Sequence, residues 1–249
     1  MMIKMKIFIH MEYFYNYNFV SSYTEYERIK NVSVAEITNV STNTCNTTIF
    51  PDDCSNKSFS RNYLIATKYL NLIKEHNPPV NIEHACKYLS YWVYQEMVKN
   101  SSSRYNVSTL LGKLMEAESL YICDEYTEDI TSELFSKIQS LIALYKSLTE
   151  ILISEKKDAC QRNKICVKLY EDYKDTCDLN TDHHLCNEVE NFRRTYNHLM
   201  YKTYKCNEFE YLPSYQKHDV IYSITTSIVA LSAISFVSFI SYKVNNYFI

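Results

Sequence analysis

The sequence predicts an all-α protein: a disulfide-stapled helical bundle followed by one C-terminal transmembrane helix. Three observations carry this prediction. One glycine and four prolines occur in 249 residues, so turns that need a left-handed backbone are scarce, which argues against a hairpin-rich β fold. Apolar residues recur at helical spacing in several segments, most regularly between Thr131 and Glu155. The run Val220 to Tyr242, VIYSITTSIVALSAISFVSFISY, holds no Asp, Glu, Lys, Arg or His, and as a helix it matches the roughly 30 Å hydrocarbon core of a bilayer.

These signals divide the chain into an irregular N-terminal segment over residues 1–60, a helical cysteine-bearing domain over 61–212, the membrane helix over 220–242 and a short tail over 243–249. The start of the chain has Lys4 and Lys6 before a short apolar patch, Ile7-Phe8-Ile9, which His10 and Glu12 interrupt. That patch is shorter than the apolar core of a signal peptide, so the segment is expected to stay uncleaved. From Asn31 to Ser60 the chain is rich in Ser, Thr and Asn without periodicity and reads as an exposed, tethered segment, with Cys45 and Cys54 available to cross-link an irregular loop. Sequons begin at Asn31, Asn39, Asn46, Asn56, Asn100 and Asn106, in a composition where several arise by chance.

A first helix starts near Arg61, with Tyr63, Ala66, Leu70 and Ile73 at helical spacing, and stops before Asn77-Pro78-Pro79. A second runs from about Ile82 to Lys99, with Cys86, Leu89, Val93 and Met97 on one face and Trp92 beside it. The third opens at Ser108 as N-cap and sets Leu110, Leu114, Ala117 and Tyr121 on one side. Between Thr131 and Glu155, Leu134, Ile138, Leu141, Tyr145, Leu148 and Leu152 form the stripe of a central core helix, and Ile142, Leu144 and Ile151 widen it toward core packing. Cys166, Tyr170, Tyr173 and Cys177 then share a face, and Leu185, Val189, Phe192, Tyr196 and Leu199 mark the partner helix of a hairpin.

The cysteines at Cys45, Cys54, Cys86, Cys123, Cys160, Cys166, Cys177, Cys186 and Cys206 all precede Val220. So many in one domain of this size point to an oxidising compartment, where each disulfide is typically worth about 2–4 kcal/mol. Their odd number leaves at least one thiol free or paired between chains. A lone Gly112 excludes the glycine-rich phosphate loops of nucleotide enzymes. A formal charge of −3 without a basic run gives no footprint for nucleic acid. The 24 tyrosines read as composition and core more than as a binding surface. Cys177, His183, His184 and Cys186 have zinc-ligand residue types, but no Cys-x-x-Cys occurs and the spacing is not that of a recognised finger. No catalytic, cofactor-binding or metal residue is assigned, and no cofactor is expected.

Ala85-Cys86-Lys87-Tyr88-Leu89-Ser90-Tyr91-Trp92-Val93-Tyr94 is similar to the Cys-x-Tyr-Leu-x-Tyr-Trp segment of the Plasmodium interspersed repeat family, the vir-type variant proteins of malaria parasites. Cys186 followed by an aromatic-bearing helix, and Pro213-Ser214 leading into an anchor that closes with Tyr242-Lys243, extend the resemblance over about residues 61–243. The resemblance implies a variant antigen exported to the infected red cell or its membranes, with a helical ectodomain exposed to host receptors and antibodies and without enzymatic activity. Two departures stand out. Family members continue past Tyr-Lys into a cytoplasmic tail, whereas Val244 to Ile249 reads as retained intron; an in-frame spliced transcript carrying these codons would refute that. The first twenty residues also differ from a family start.

Topology draws on opposing signals. Lys202, Lys205 and Lys217 precede the anchor and only Lys243 follows, which mildly favours a cytosolic domain. The cysteines and the family topology favour an extracytoplasmic one, and the sequence reading follows them. The alternative is a tail-anchored cytosolic adaptor that keeps its thiols reduced and engages partner helices through the 134–152 helix. Expected partners are the bilayer, through the C-terminal helix, and a host receptor or antibody.

Overall fold

The computed structural model describes residues 15–37, 45–76, 79–99, 104–179, 181–203 and 211–216. All regular structure among them is helical: α1 Tyr23–Ile37, α2 Lys57–Glu75, α3 Ile82–Val93, α4 Val107–Glu118, α5 Ser132–Ile153, α6 Lys156–Glu171, α7 Lys174–Asp178 and α8 His183–Thr203, with short 3-10 turns between. Among the described residues no helix is long and apolar enough to cross a membrane. The expected anchor from Val220 to Tyr242, the tail, the Ile7-Phe8-Ile9 patch and Cys206 lie outside the described residues.

The described residues among the first sixty, 15–37 and 45–60, correct the expectation of an irregular, exposed segment. Helix α1 buries Tyr23, Tyr26, Ile29 and Ser33, spaced by three, three and four, and packs along α2. Two of these four are tyrosines, which hydropathy undervalues although each ring buries much apolar area. Beyond it, the Asn46 side chain accepts from the backbone N–H groups of Thr48 and Ile49 and folds the chain so that Phe50 is fully buried against Phe59, Tyr63 and Tyr105.

Helix α2 starts at an Asn56 cap that accepts from Ser58 and Phe59, buries Tyr63, Ala66, Leu70 and Ile73, and ends at Glu75 before the prolines. Helix α3 is capped by Asn81 and is buried on every side from Ala85 to Val93, so it, more than α5, is the innermost element. Tyr88 sits among the rings of Tyr23, Tyr26, Tyr69 and Tyr91. A π-helical turn over Tyr94–Val98 follows, closed by the Lys99 N–H on the Tyr94 carbonyl at 2.8 Å.

The cap of α4 is Asn106, not Ser108. The Asn106 Oδ1 accepts from Thr109 at 3.0 Å, while the Ser108 N–H already donates to Asp129 at 2.9 Å. Leu110 and Leu114 are buried, but Tyr121 is 59% exposed because Ser119, at φ 53°, turns the chain off the helix axis.

Helices α5, α6 and α8 form a three-helix sheaf. Lys137 meets Asp182 near the start of α5 and of α8, and Tyr145 meets Glu188 further along both, so these two run parallel. Helix α6 runs back alongside both, with Arg162 on Glu150 and the Tyr196 hydroxyl on Asn163 at 2.5 Å. As the sequence predicts, α5 is a core helix: Ile138, Leu141, Leu148 and Leu152 are buried, and so are Ile142, Leu144 and Ile151. The expected shared face of Cys166, Tyr170, Tyr173 and Cys177 is buried throughout, although a turn at residues 172–173 splits it between α6 and α7.

Candidate functional site

The cysteines resolve into defined partners. Cys45–Cys54 ties the Phe50 loop to the start of α2, Cys86–Cys123 joins α3 to the segment after α4, and Cys177–Cys186 joins α7 to α8, with Cα separations of 5.7, 5.4 and 5.3 Å. Cys160 is also disulfide-bonded. Cys166 is the correction among the candidates: it is free and buried, facing Ser147 of α5. Burial pushes its thiol up to about 11, against a partly opposing hydrogen bond with Ser147, so it holds its proton and is a poor nucleophile.

The zinc reading of Cys177, His183, His184 and Cys186 fails on bonding. Both sulfurs are joined to each other, which removes the thiolates that zinc would need. The two imidazoles lie 5.9 Å apart between centroids, edge to face, and among the described residues no cluster of ligand residues could hold a metal ion. Asn46, Asn56 and Asn106, each the Asn of a sequon, all turn out to cap local backbone.

The most organised polar site lies where the domain leads toward Val220. Residues 211–216 carry no helix or strand, yet Leu212 and Tyr215 are buried. Their backbone groups need partners from elsewhere, and α8 supplies them. The Asn197 side chain accepts from the Leu212 N–H at 2.9 Å and donates to the Leu212 carbonyl at 3.2 Å, copying the exchange that a neighbouring strand would make. Arg193 reaches the same carbonyl at 3.5 Å, and the Tyr170 hydroxyl donates to the Pro213 carbonyl at 2.5 Å. Tyr215 then stacks on Tyr170 with centroids 4.7 Å apart, and Gln216 donates to Asn187 at 2.8 Å.

Glu190 is the hub of this latch. It accepts from Arg193 at 2.8 and 2.6 Å, from Arg194 at 3.1 Å and from Ser214 at 3.0 Å. Burial alone would raise its carboxyl, but the Arg193 hydrogen bonds and charge, with Ser214 and Arg194, outweigh burial and hold it below the usual carboxylate range. Of these bonds the one from Ser214 reaches the segment, and a bond to a charged carboxylate is worth about 1.5–3 kcal/mol; the arginines hold Glu190 in place from within α8. Sequence reasoning singles out Pro213-Ser214 only through the resemblance. It places Tyr170 on a shared face without its bond to Pro213, and it misses Asn187, Glu190, Arg193 and Asn197, because Glu, Arg and Asn three and four apart on a helix read as an ordinary solvated face.

Two further polar centres tie elements together, one buried and one part-buried. Lys87, 5% exposed, pairs with Glu83 at 3.0 Å and Glu128 at 3.6 Å and lies 5.5 Å from the centroid of the Tyr15 ring. Asp182 caps α8 through the Leu185 N–H while accepting from Lys137 and Tyr17, which locks the starts of α5 and α8 together. Neither centre pairs a nucleophile with a base or brings ligand groups to an open cleft; both have the geometry of structural clasps. No family model, curated protein or solved structure matches this chain.

Proposed function

We propose that this chain is a single-pass membrane antigen of the Plasmodium interspersed repeat type. Its disulfide-stapled helical domain stands outside the cytoplasm at the infected-cell surface, binds host receptors or antibodies, and contributes to immune evasion. The observation that carries the reading is the latch: a partly buried clamp on residues 211–216, charge-assisted where Ser214 meets Glu190, four residues before an uncharged run long enough to span a bilayer. A clamp at that point makes sense where pull or thermal motion at the anchor would otherwise peel α8 from the sheaf.

The disulfides support the extracytoplasmic side, since paired cysteines persist in oxidising compartments. Binding rather than chemistry fits a domain whose organised polar groups are clasps. The tail-anchored adaptor needs α5 to present an apolar face to a partner, yet Phe135, Ile138, Leu141, Ile142, Leu144, Leu148 and Ile151 are buried inside the domain itself.

The test is expression of the full chain in a eukaryotic cell, followed by alkaline carbonate extraction and antibody labelling of intact cells. Retention in the membrane pellet with surface labelling is expected. Release by carbonate removes the anchor, and labelling only after permeabilisation moves the domain to the cytosol.

A further inference from the structure

The latch also fixes which end of the domain meets the membrane. Leu212 pairs with Asn197, Ser214 with Glu190 and Gln216 with Asn187, so the segment runs antiparallel to α8 and leaves the domain near the N-terminal end of that helix. Four residue steps separate Gln216 from Val220, a reach of at most about 14 Å. The headgroup layer takes up roughly 5–7 Å of that distance, which leaves less than the ~10 Å diameter of one helix. Nothing the size of a further structural layer fits between this end and the lipid.

The same end carries Leu179, the most exposed large apolar side chain among the described residues at 75%. It sits on the turn between α7 and α8, which is held by the Leu179 N–H on the Asp175 carbonyl at 3.2 Å and the Thr181 N–H on the Thr176 carbonyl at 3.2 Å. The Cys177–Cys186 disulfide pins that turn to α8. Leu179 therefore protrudes from a braced turn. Carboxylates outnumber cations around it: Glu171 and Asp178 act on Tyr215 beside the exit point, and α7 carries Asp175 and Asp178 against the one cation Lys174.

We propose that this end of the domain rests on the bilayer, with Leu179 inserted into a zwitterionic headgroup layer of the phosphatidylcholine type. The acidic rim disfavours an anionic surface. This rests on reading Val220 to Tyr242 as the anchor. The opposite end, where α5 meets α6 at Ile153 and where α8 finishes near Tyr201, then faces away from the membrane and is the end available to a receptor or antibody.

The experiment uses the full chain in phosphatidylcholine nanodiscs, with Leu179→Trp and Ile153→Trp compared against the parent carrying Trp92 alone. Both sites are more than 60% exposed, so neither variant disturbs the core. Phosphatidylcholine brominated at shallow acyl positions is expected to quench at least half of the fluorescence added at 179 and to leave that added at 153 unchanged. A disc-bound chain with both tryptophans unquenched overturns the apposition while leaving the anchor intact. A chain that elutes apart from the discs overturns the anchor, and the apposition with it.

Discussion

Glu188 is a carboxyl in the core of the sheaf, 3% exposed, accepting from the Tyr145 hydroxyl at 2.7 Å and from Asn191 at 3.2 Å. Burial raises it to about 7 from an ordinary 4.5, and the two hydrogen bonds only partly resist. Between these values the folded protein holds a proton that the unfolded chain has lost. Its contribution is therefore complete below pH 4.5 and is lost as pH rises toward 7, at up to about 1.4 kcal/mol per unit. Glu188→Gln stays neutral, keeps the Tyr145 bond and lets Asn191 turn its amide. Calorimetry across pH 5 to 8 should show a flatter midpoint profile for the variant and a gain of roughly 1–3 kcal/mol at pH 8; a profile parallel to the parent would place the pH dependence elsewhere. Cys166 makes the complementary point about a neutral buried group. It is expected to resist alkylation in the folded protein and to react once the chain is unfolded, without any reductant.

Elements differ in how plainly the sequence announces them, and the reasons are physical. Helix α5 is legible because its stripe steps by 4, 3, 4, 3 and 4 and is built from Leu and Ile with one Tyr. Helix α3 is legible as a helix, but its burial on all sides depends on Tyr23, Tyr26 and Tyr69 arriving from α1 and α2, which no local pattern records. Helix α1 escapes notice because tyrosines carry its buried face, and the Phe50 loop because its order comes from an Asx turn and a disulfide. Phe50→Ala should cost about 3–5 kcal/mol, as for other large core truncations, measured by denaturant unfolding; a change below 1 kcal/mol would return residues 45–56 to the status of a tether. The latch is the least legible part, since its bonds join residues fifteen to forty-three apart. Glu190→Ala leaves Arg193, Arg194 and Ser214 without their shared acceptor. Hydrogen exchange at the Leu212 amide should then accelerate by about ten- to hundredfold, matching the roughly 1.5–3 kcal/mol of a charge-assisted bond, while amides in α3 stay protected.

At the scale of the whole molecule the disulfides reinforce a core that is already continuous. Cys45–Cys54 and Cys177–Cys186 each close a separation of 9, and Cys86–Cys123 closes 37. Loop entropy makes the first two worth about 3 kcal/mol and the third about 4 kcal/mol, so loss of Cys86–Cys123 should lower the stability of the fold most. That ranking matters to the proposed role, because a surface antigen keeps these bonds and a cytosolic adaptor has none to lose. The most direct measurement is thiol alkylation of the protein in intact membranes, under denaturant, with and without prior reduction, mapped by mass spectrometry. The account predicts that Cys166 labels on unfolding alone, whereas Cys45, Cys54, Cys86, Cys123, Cys160, Cys177 and Cys186 label only after reduction. If those seven label without reductant, the domain faces the cytosol and the antigen reading is contradicted.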